Sequence, residues 1–290
     1  MKRSILPPYL RDSLPGRQGW PLAFAHRGAD TARENTLPAF RRAVERGYGY
    51  LELDVRTTAD GVLMVFHDET LDRITTGSGR LSDHTWEELS RLRVIDPEAV
   101  RARSSGAAAS GGTAGADLLE GEHLLRFEDL LGEWPEVRLN VDLKDDSAAD
   151  AIARVIHRHD AWDRVLIASF HDSRRRRFTR AAGRRIAMSG GGLAIAALVV
   201  AAPLGLAGFV GRRMAHVNCV QVPVKQGPIP VVTRTFVARC QAAGLQVHVW
   251  VVDDPAEMER LLALGVDGLM TDDAEALASV MEARGYWPQR

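Results

Sequence analysis

Residues 22–55 contain Leu22-Ala23-Phe24-Ala25-His26-Arg27-Gly28, then Glu34-Asn35-Thr36 opening a helix-patterned segment, then Tyr50-Leu51-Glu52-Leu53-Asp54-Val55. The first run is short and apolar. Residues 36–46 carry Pro38 in the first turn of a helix, where the fixed φ and the missing N–H of proline are tolerated. The third run alternates apolar and acidic residues with the period of a strand. Strand, helix and strand in this spacing form a parallel unit. Outward from it the pattern repeats, with further strands expected at 62–66, 137–143, 165–169, 185–188, 219–222, 246–252 and 268–270, and clear helices at 148–159 and at 255–264 before Gly265. A helix after nearly every strand, and no glycine-rich dinucleotide fingerprint after the first, favour a closed (β/α)8 TIM barrel over an open doubly wound sheet. The expected fold is therefore α/β, a single barrel domain over 21–290 with an N-terminal extension over 1–20.

One connection breaks the alternation. Thr57-Thr58-Ala59-Asp60-Gly61 is too short for a parallel crossover, and Asp-Gly between apolar runs is a hairpin signal. With Asp60 and Gly61 as the two central turn residues, Asp54 lies opposite His67. The stretch 96–121 holds a Gly/Ala/Ser-rich run from Ser104 to Gly115, whose composition cannot build a core, and it reads as a flexible surface insertion.

Composition bounds the partners. The 290 residues are 46% apolar and 26% charged, with 37 basic and 38 acidic side chains and a formal charge of −1. That balance removes the positive field of a non-specific nucleic-acid binder, so no nucleic-acid partner is expected. Cys219 and Cys240 are too few for a disulfide framework or a cysteine zinc site and read as two buried thiols. Residues 1–20 mix Arg3, Arg11, Asp12 and Arg17 with prolines and lack an apolar stretch long enough for a secretory signal, which makes the cytoplasm the expected location.

The chemistry-bearing residues fall at strand ends. In a barrel the carboxyl ends of the strands build the active site, so His26 and Arg27 stand where function is placed; arginine offers phosphate a planar fork of donors, and Gly28 permits close backbone approach. Alternation puts Glu52 and Asp54 on one face. They repel each other unless a cation lies between them, so the pair reads either as a divalent-metal site or as a solvated face. Asn140, Asp142 and Lys144 likewise share a face; Asp142 would add a third oxygen ligand and Lys144 a point charge for a phosphoryl oxygen. Lysine is scarce, with only Lys2, Lys144 and Lys225 in the chain. Phe170, at a strand end, reads either as pocket lining or as ordinary packing. Trp250 and His248 share a face, and one of them must look inward. His157, His159 and His216 read as surface residues, and Gln221 and Pro223 as possible pocket floor.

His26-Arg27-Gly28, Glu34-Asn35-Thr36, Glu52-Leu53-Asp54-Val55, Asp60-Gly61 and Val65-Phe66-His67-Asp68, in that order, resemble the signature of glycerophosphodiester phosphodiesterases. Trp250, Gly265-Val266-Asp267-Gly268 and Thr271-Asp272 resemble their C-terminal part, so the likeness runs from about Ala23 to Asp273. It implies a distorted (β/α)8 barrel that cleaves glycerophosphodiesters to glycerol 3-phosphate and an alcohol with a divalent cation, Mg2+ or Ca2+. By this resemblance His26 and His67 are the acid/base histidines, Glu52 and Asp54 are metal ligands, Arg27 is a phosphate contact, and Trp250 lies over the glycerol or leaving alcohol. The third site departs from the family's Glu-X-Lys, because Asp142-Leu143-Lys144 supplies a carboxylate one methylene shorter. The implied chemistry starts with attack by the substrate's own glycerol hydroxyl, giving a cyclic phosphate that water opens.

Residues 186–211 run for 26 positions without a charge between Arg184-Arg185 and Arg212-Arg213. Gly190-Gly191-Gly192 and Pro203-Leu204-Gly205 interrupt the run. It reads as a strand, a glycine loop and an apolar helix over 193–202, with peripheral membrane contact as the alternative. Arg174-Arg175-Arg176-Arg177 reads as a solvated helix face that would suit anionic lipid headgroups if the apolar helix is exposed. Two other functions compete with the first: a lysophospholipase D-type phospholipid phosphodiesterase, and a non-catalytic phosphate-ligand or lipid-surface binding protein.

Overall fold

The computed structural model describes residues 6–11, 19–98, 101, 121–214 and 216–290. Eight parallel strands form the barrel: β1 Leu22–His26, β2 Tyr50–Thr57, β3 Arg138–Leu143, β4 Val165–Ala168, β5 Ala187–Met188, β6 Cys219–Pro223, β7 Gln246–Trp250 and β8 Gly268–Thr271. Each pairs with the next in sequence except β5 with β6, and β8 pairs with β1. The seam between β5 and β6 is held by a parallel bridge from Ser189 to Cys219 and by the Asn218 N–H donating to the Met188 carbonyl at 2.9 Å. The barrel is nearly closed.

Helices follow the strands in turn: α1 Leu37–Arg46, α2 Phe127–Glu133, α3 Ala148–Arg158, α4 Asp172–Ala182, the pair α5 Gly192–Ala201 and α6 Ala207–Arg213, α7 Arg234–Ala242, α8 Pro255–Leu264 and α9 Ala274–Ala283. Their boundaries follow local chemistry. Thr36 caps α1, its side chain accepting from the Ala39 N–H, and Gly47 at φ 115° ends it. The outward residues of β2, Leu51, Leu53 and Val55, are buried against this helical layer, while Phe24, Tyr50, Leu166 and Met270 fill the barrel interior. Tyr9 and Leu10, from the expected N-terminal extension, join that interior cluster, and the Tyr9 ring packs edge-on against Tyr50 with centroids 5.5 Å apart. Cys219 and Cys240 are buried free thiols, as expected.

Four readings need correction. The hairpin after β2 forms with Leu63–Val65, but Val55 faces Val65 and Thr57 faces Leu63, so the register is one residue from that expected. Phe66, not His67, lies opposite Asp54 and donates its N–H to the Asp54 carbonyl at 2.9 Å. The cause is a wider loop. Thr58 and Val62 still bond each other, Thr58 N–H to Val62 O at 3.0 Å and Val62 N–H to Thr58 Oγ1 at 2.8 Å, which leaves three loop residues ending in Gly61 at φ 82°. The strand expected over 185–188 shortens to Ala187–Met188, and the apolar helix begins at Gly192, one residue early. Arg175 is not on a solvated face; it is buried, donating to the Ser189 carbonyl at 2.6 Å and to Asp172 Oδ1 at 2.9 Å, and so ties α4 to the barrel seam. Most of the insertion expected at 96–121, including the Gly/Ala/Ser-rich run, lies outside the described residues.

Candidate active site

The site is assembled by register. His26 of β1 pairs with Glu52 of β2, which pairs with Asn140 of β3; one layer further toward the barrel mouth Asp54 pairs with Asp142. Adjacent strands thus bring chemically related side chains to one height, all facing inward because residues two apart share a face. Gln221 of β6 reaches across and donates to Asn140 Oδ1 at 3.0 Å. The cavity above these layers measures about 200 Å³, and all nine expected site residues line it: His26, Arg27, Glu52, Asp54, His67, Asp142, Lys144, Phe170 and Trp250. Pro223 does not line it.

The two histidines are anchored alike. His26 Nδ1 lies 2.7 Å from Asp272 Oδ1, and His67 Nδ1 lies 2.6 Å from Asp68 Oδ1. A carboxylate only accepts, so Nδ1 carries the proton in each ring and Nε2 is left for other partners. His26 Nε2 is 3.7 Å from Glu52 Oε2. Burial pushes the His26 pKa down, but the Glu52 charge and the Asp272 bond push it up and prevail. Asp68 is held well below the usual carboxylate range: burial raises it, and the bonds from His67 and Arg73 outweigh burial.

The cations are shared among the carboxylates. Arg27 Nε lies 2.9 Å from Asp54 Oδ2, and Arg27 Nη1 donates to Glu34 Oε1 at 3.1 Å. Lys144 Nζ contacts Asp142 Oδ2 at 2.7 Å and Asp54 Oδ1 at 3.0 Å. Burial raises the Asp54 pKa, but Lys144 and Arg27 overcome it and keep the group ionised. For Glu52 burial, then repulsion from Asp54, push the pKa up to about 7; the neighbouring His26, Arg27 and Lys144 lower it but do not prevail. Arg73 joins the halves of the site, holding Glu34 at 2.6 Å and Asp68 Oδ2 at 2.5 Å. Glu34, Asp68, Arg73 and Asp272 were the residues that sequence reading left without a role. Asp68 and Asp272 lie inside the quoted motifs, the first next to His67 and the second 246 residues from His26.

Other expected residues fall into place around them. Thr36 is the helix cap, whereas Asn35, at φ 60° and buried, donates Nδ2 to Asp54 Oδ2 at 3.2 Å and so belongs to the site. Phe170 and Trp250 meet edge-on at 5.8 Å over the mouth, with Phe170 60% exposed. His248, not Trp250, is the fully buried member of its pair. His157, His159 and His216 are exposed, as expected.

Among the described residues no three His, Cys, Asp or Glu side chains converge as a preformed metal cage. The donor set nevertheless fits a hard divalent cation. Glu52, Asp54 and Asp142 are buried oxygen donors on neighbouring strands, Asp142 Oδ1 is buried with no hydrogen-bond partner among the described residues, and burial and the Asp54 charge disfavour the ionised form of Glu52, which a cation would favour.

A (β/α)8 barrel whose mouth carries two carboxylate-anchored histidines, an acidic floor and two cationic side chains defines a hydrolase-type site for a small anionic ester. The chain belongs to the glycerophosphoryl diester phosphodiesterase family, whose model matches residues 26–276. It is 38% identical over 273 residues to a probable glycerophosphodiester phosphodiesterase 2 of Mycobacterium tuberculosis, covering 93% of this chain and 94% of that protein. It is 30% identical to a glycerophosphodiester phosphodiesterase of Caldanaerobacter subterraneus subsp. tengcongensis, covering 91% and 99%. Among solved structures, an Oleispira antarctica phosphodiesterase in complex with the product sn-glycerol-3-phosphate superposes with a TM-score of 0.70 at 20% identity, covering 92% of this chain and 98% of that one. At that identity the likeness speaks for the shared barrel.

Proposed function

We propose that this chain hydrolyses glycerophosphodiesters to glycerol 3-phosphate and an alcohol, with His26 and His67 as the proton-transfer pair. The observation that carries the reading is the matched anchoring of the two rings: each Nδ1 is fixed by a carboxylate while the rings border one small cavity whose floor is acidic and whose walls hold Arg27 and Lys144. A diester monoanion repels nucleophiles and gains charge on its equatorial oxygens as it reacts, so Arg27 and Lys144 contribute by neutralising that charge. One imidazole takes the proton of the attacking hydroxyl, and the other gives a proton to the alcohol oxygen as its bond to phosphorus breaks. When the substrate's own glycerol hydroxyl attacks, a cyclic phosphate forms, and water opens it with the histidine roles reversed. Trp250 and Phe170 offer an apolar wall to the carbon skeleton of the glycerol or alcohol.

Glu52, Asp54 and Asp142 would hold the divalent cation, Mg2+ or Ca2+. Bound there, it would supply further positive charge for the phosphoryl oxygens. Asp142 is one methylene shorter than Glu52 and has one oxygen engaged by Lys144 Nζ at 2.7 Å, so its removal should weaken metal affinity less than removal of Glu52.

The test is a substrate panel with release of the headgroup alcohol as readout, comparing glycerophosphocholine, glycerophosphoethanolamine and glycerophosphoglycerol, which would also yield glycerol 3-phosphate, with lysophosphatidylcholine, which would yield lysophosphatidic acid. Release from the water-soluble diesters is expected. Preference for the acylated substrate would move the assignment to a lysophospholipase D-type enzyme, and no turnover of any of them would leave a binding protein.

A further inference from the structure

The helix pair α5–α6 is unlike every other part of the barrel's outer layer. α5, Gly-Leu-Ala-Ile-Ala-Ala-Leu-Val-Val-Ala over Gly192–Ala201, has no polar side chain on any face, yet only Leu198 and Ala201 are buried in it. Leu193 is 77% exposed, Val200 and Leu204 68%, Leu206 51% and Phe209 50%. Most of the large exposed apolar side chains of the described residues therefore gather on one helical pair, and such clustering marks a contact surface rather than scattered surface hydrophobes. A ten-residue helix is about 15 Å long, about half of a hydrocarbon core of ~30 Å. Among the described residues no helix is long and apolar enough to cross a membrane. The pair is shaped to lie on a surface, not to span one.

The fringe of this patch supplies the sign of the partner. Arg212 and Arg213 close α6, with the Arg213 guanidinium over the Phe209 ring at 3.7 Å. A cleft beside α5 is lined by Arg176, Arg180, Arg213 and His216. Arg174, Arg175 and Arg177 are paired with Asp146, Asp172 and Asp150. By contrast, Arg176, Arg180, Arg212 and Arg213 are exposed and have no carboxylate partner among the described residues. Apolar side chains ringed by unpaired arginines are complementary to an anionic lipid interface, where the alkyl and aromatic groups enter the acyl boundary and the guanidinium groups stay at headgroup level. A second copy of this chain meeting the same face would bring arginine against arginine.

The patch also continues into the active site. Ile195 of α5, Gly192 at its start and Phe170 before α4 line the cavity mouth. We propose that α5–α6 is an interfacial docking element that seats the barrel mouth on anionic bilayers. This concerns where the enzyme works and holds whichever diester it cleaves.

Flotation of the full-length chain with vesicles of phosphatidylglycerol and phosphatidylcholine, against pure phosphatidylcholine vesicles, tests it at ~0.05 M and ~0.5 M salt. Wild type should float with the anionic vesicles at least about 10-fold more than with the neutral ones, and high salt should weaken that binding. The double substitution Arg212→Glu and Arg213→Glu should lower partitioning by about 30-fold or more, since each basic residue near the surface contributes about fivefold. Leu204→Glu with Phe209→Glu should also abolish flotation, while both variants keep wild-type turnover of a soluble glycerophosphodiester and a wild-type circular dichroism spectrum. The idea is overturned if wild type stays with the soluble fraction, if neutral and anionic vesicles bind alike, or if the variants float as wild type does. A wild-type dimer in light scattering that the Leu204/Phe209 variant converts to monomer would assign the patch to a second copy and overturn it equally. Inactivity of wild type on every soluble diester would instead count against the hydrolase reading and leave the flotation result standing.

Discussion

At the scale of single residues, the anchoring carboxylates decide how the imidazoles work. Asp272 is 30% exposed in its side chain and reaches His26 at 2.7 Å, so it acts on the reaction by fixing the ring's tautomer and orientation. Asp272→Asn should lower kcat by roughly 10²-fold with KM little changed, and should shift the pH–rate profile, because an amide can hold the wrong tautomer. An unchanged profile would mean Asp272 does not position His26. His248 makes a separate prediction about stability. It is fully buried against Phe24, its Nε2 paired with Gln246 Oε1, and burial pushes its pKa down to about 3. The unfolded ring titrates near ~6.5, so below that pH the unfolded state binds a proton that the folded state refuses. Its contribution is complete above ~6.5 and is lost as pH falls toward 3, about 2 kcal/mol between pH 7 and 5. Glu52, raised to about 7, has the opposite sign in the same window, because its folded form holds the proton longer. Urea melts of wild type and His248→Leu in chelator separate the two: stability of the variant should fall less on going from pH 7 to 5, and parallel losses would refute the assignment.

At the scale of elements, the loop from β1 into α1 carries the tightest constraint. Gly28 has φ +88°, and a Cβ there would lie 2.8 Å from Ala39 Cβ and 2.9 Å from the Ala39 backbone carbon. Its neighbours Arg27 and Ala29 also have positive φ, at 51° and 53°. Backbone strain of this kind is found where a site is preorganised. Gly28→Ala must push α1 away from the loop that aims Arg27 and His26, so we expect a loss of about 2 kcal/mol or more in a urea melt, together with a fall in kcat/KM. Wild-type stability and turnover would contradict the packing. The elements also show what was legible in the sequence. Period-two alternation placed Glu52 with Asp54, and Asn140 with Asp142 and Lys144, on shared faces, because a pleated strand leaves no other choice; that these faces look inward shows only in the closed barrel. The hairpin register was off by one because Thr58 uses its own side chain to widen the loop, and Asp-Gly alone does not reveal that. Asp272 was hidden for a topological reason: only closure of β8 onto β1 brings it to His26.

At the scale of the whole molecule, closure depends on both ends of the chain. Gln289 Oε1 accepts from the Ala23 N–H and its Nε2 donates to the Pro21 carbonyl, both at 2.8 Å, which fixes the entry to β1 from below. Tyr9 fills the barrel interior although it belongs to a segment that composition marked as an extension. Its hydroxyl is buried with no hydrogen-bond partner among the described residues, so the ring and the oxygen should separate energetically. Tyr9→Ala should cost about 3–5 kcal/mol by leaving a cavity, whereas Tyr9→Phe should be neutral or slightly stabilising. Equal losses in both variants would show that the hydroxyl, not the ring, matters. The barrel itself was readable from alternation and length; the plug was not, since the four helical residues Pro8–Arg11 are too few to carry a periodic signal.

His26 and His67 border the same cavity, from which both would act on one phosphodiester. Phosphorus NMR of glycerophosphocholine turnover tests this joint action most directly, with wild type, His26→Ala and His67→Ala compared with divalent cation and with chelator. Wild type with cation should give glycerol 3-phosphate by way of a transient cyclic phosphate, chelator should abolish product, and kcat should fall about 10²–10⁴-fold in either variant. Full turnover by either histidine variant would contradict the joint action.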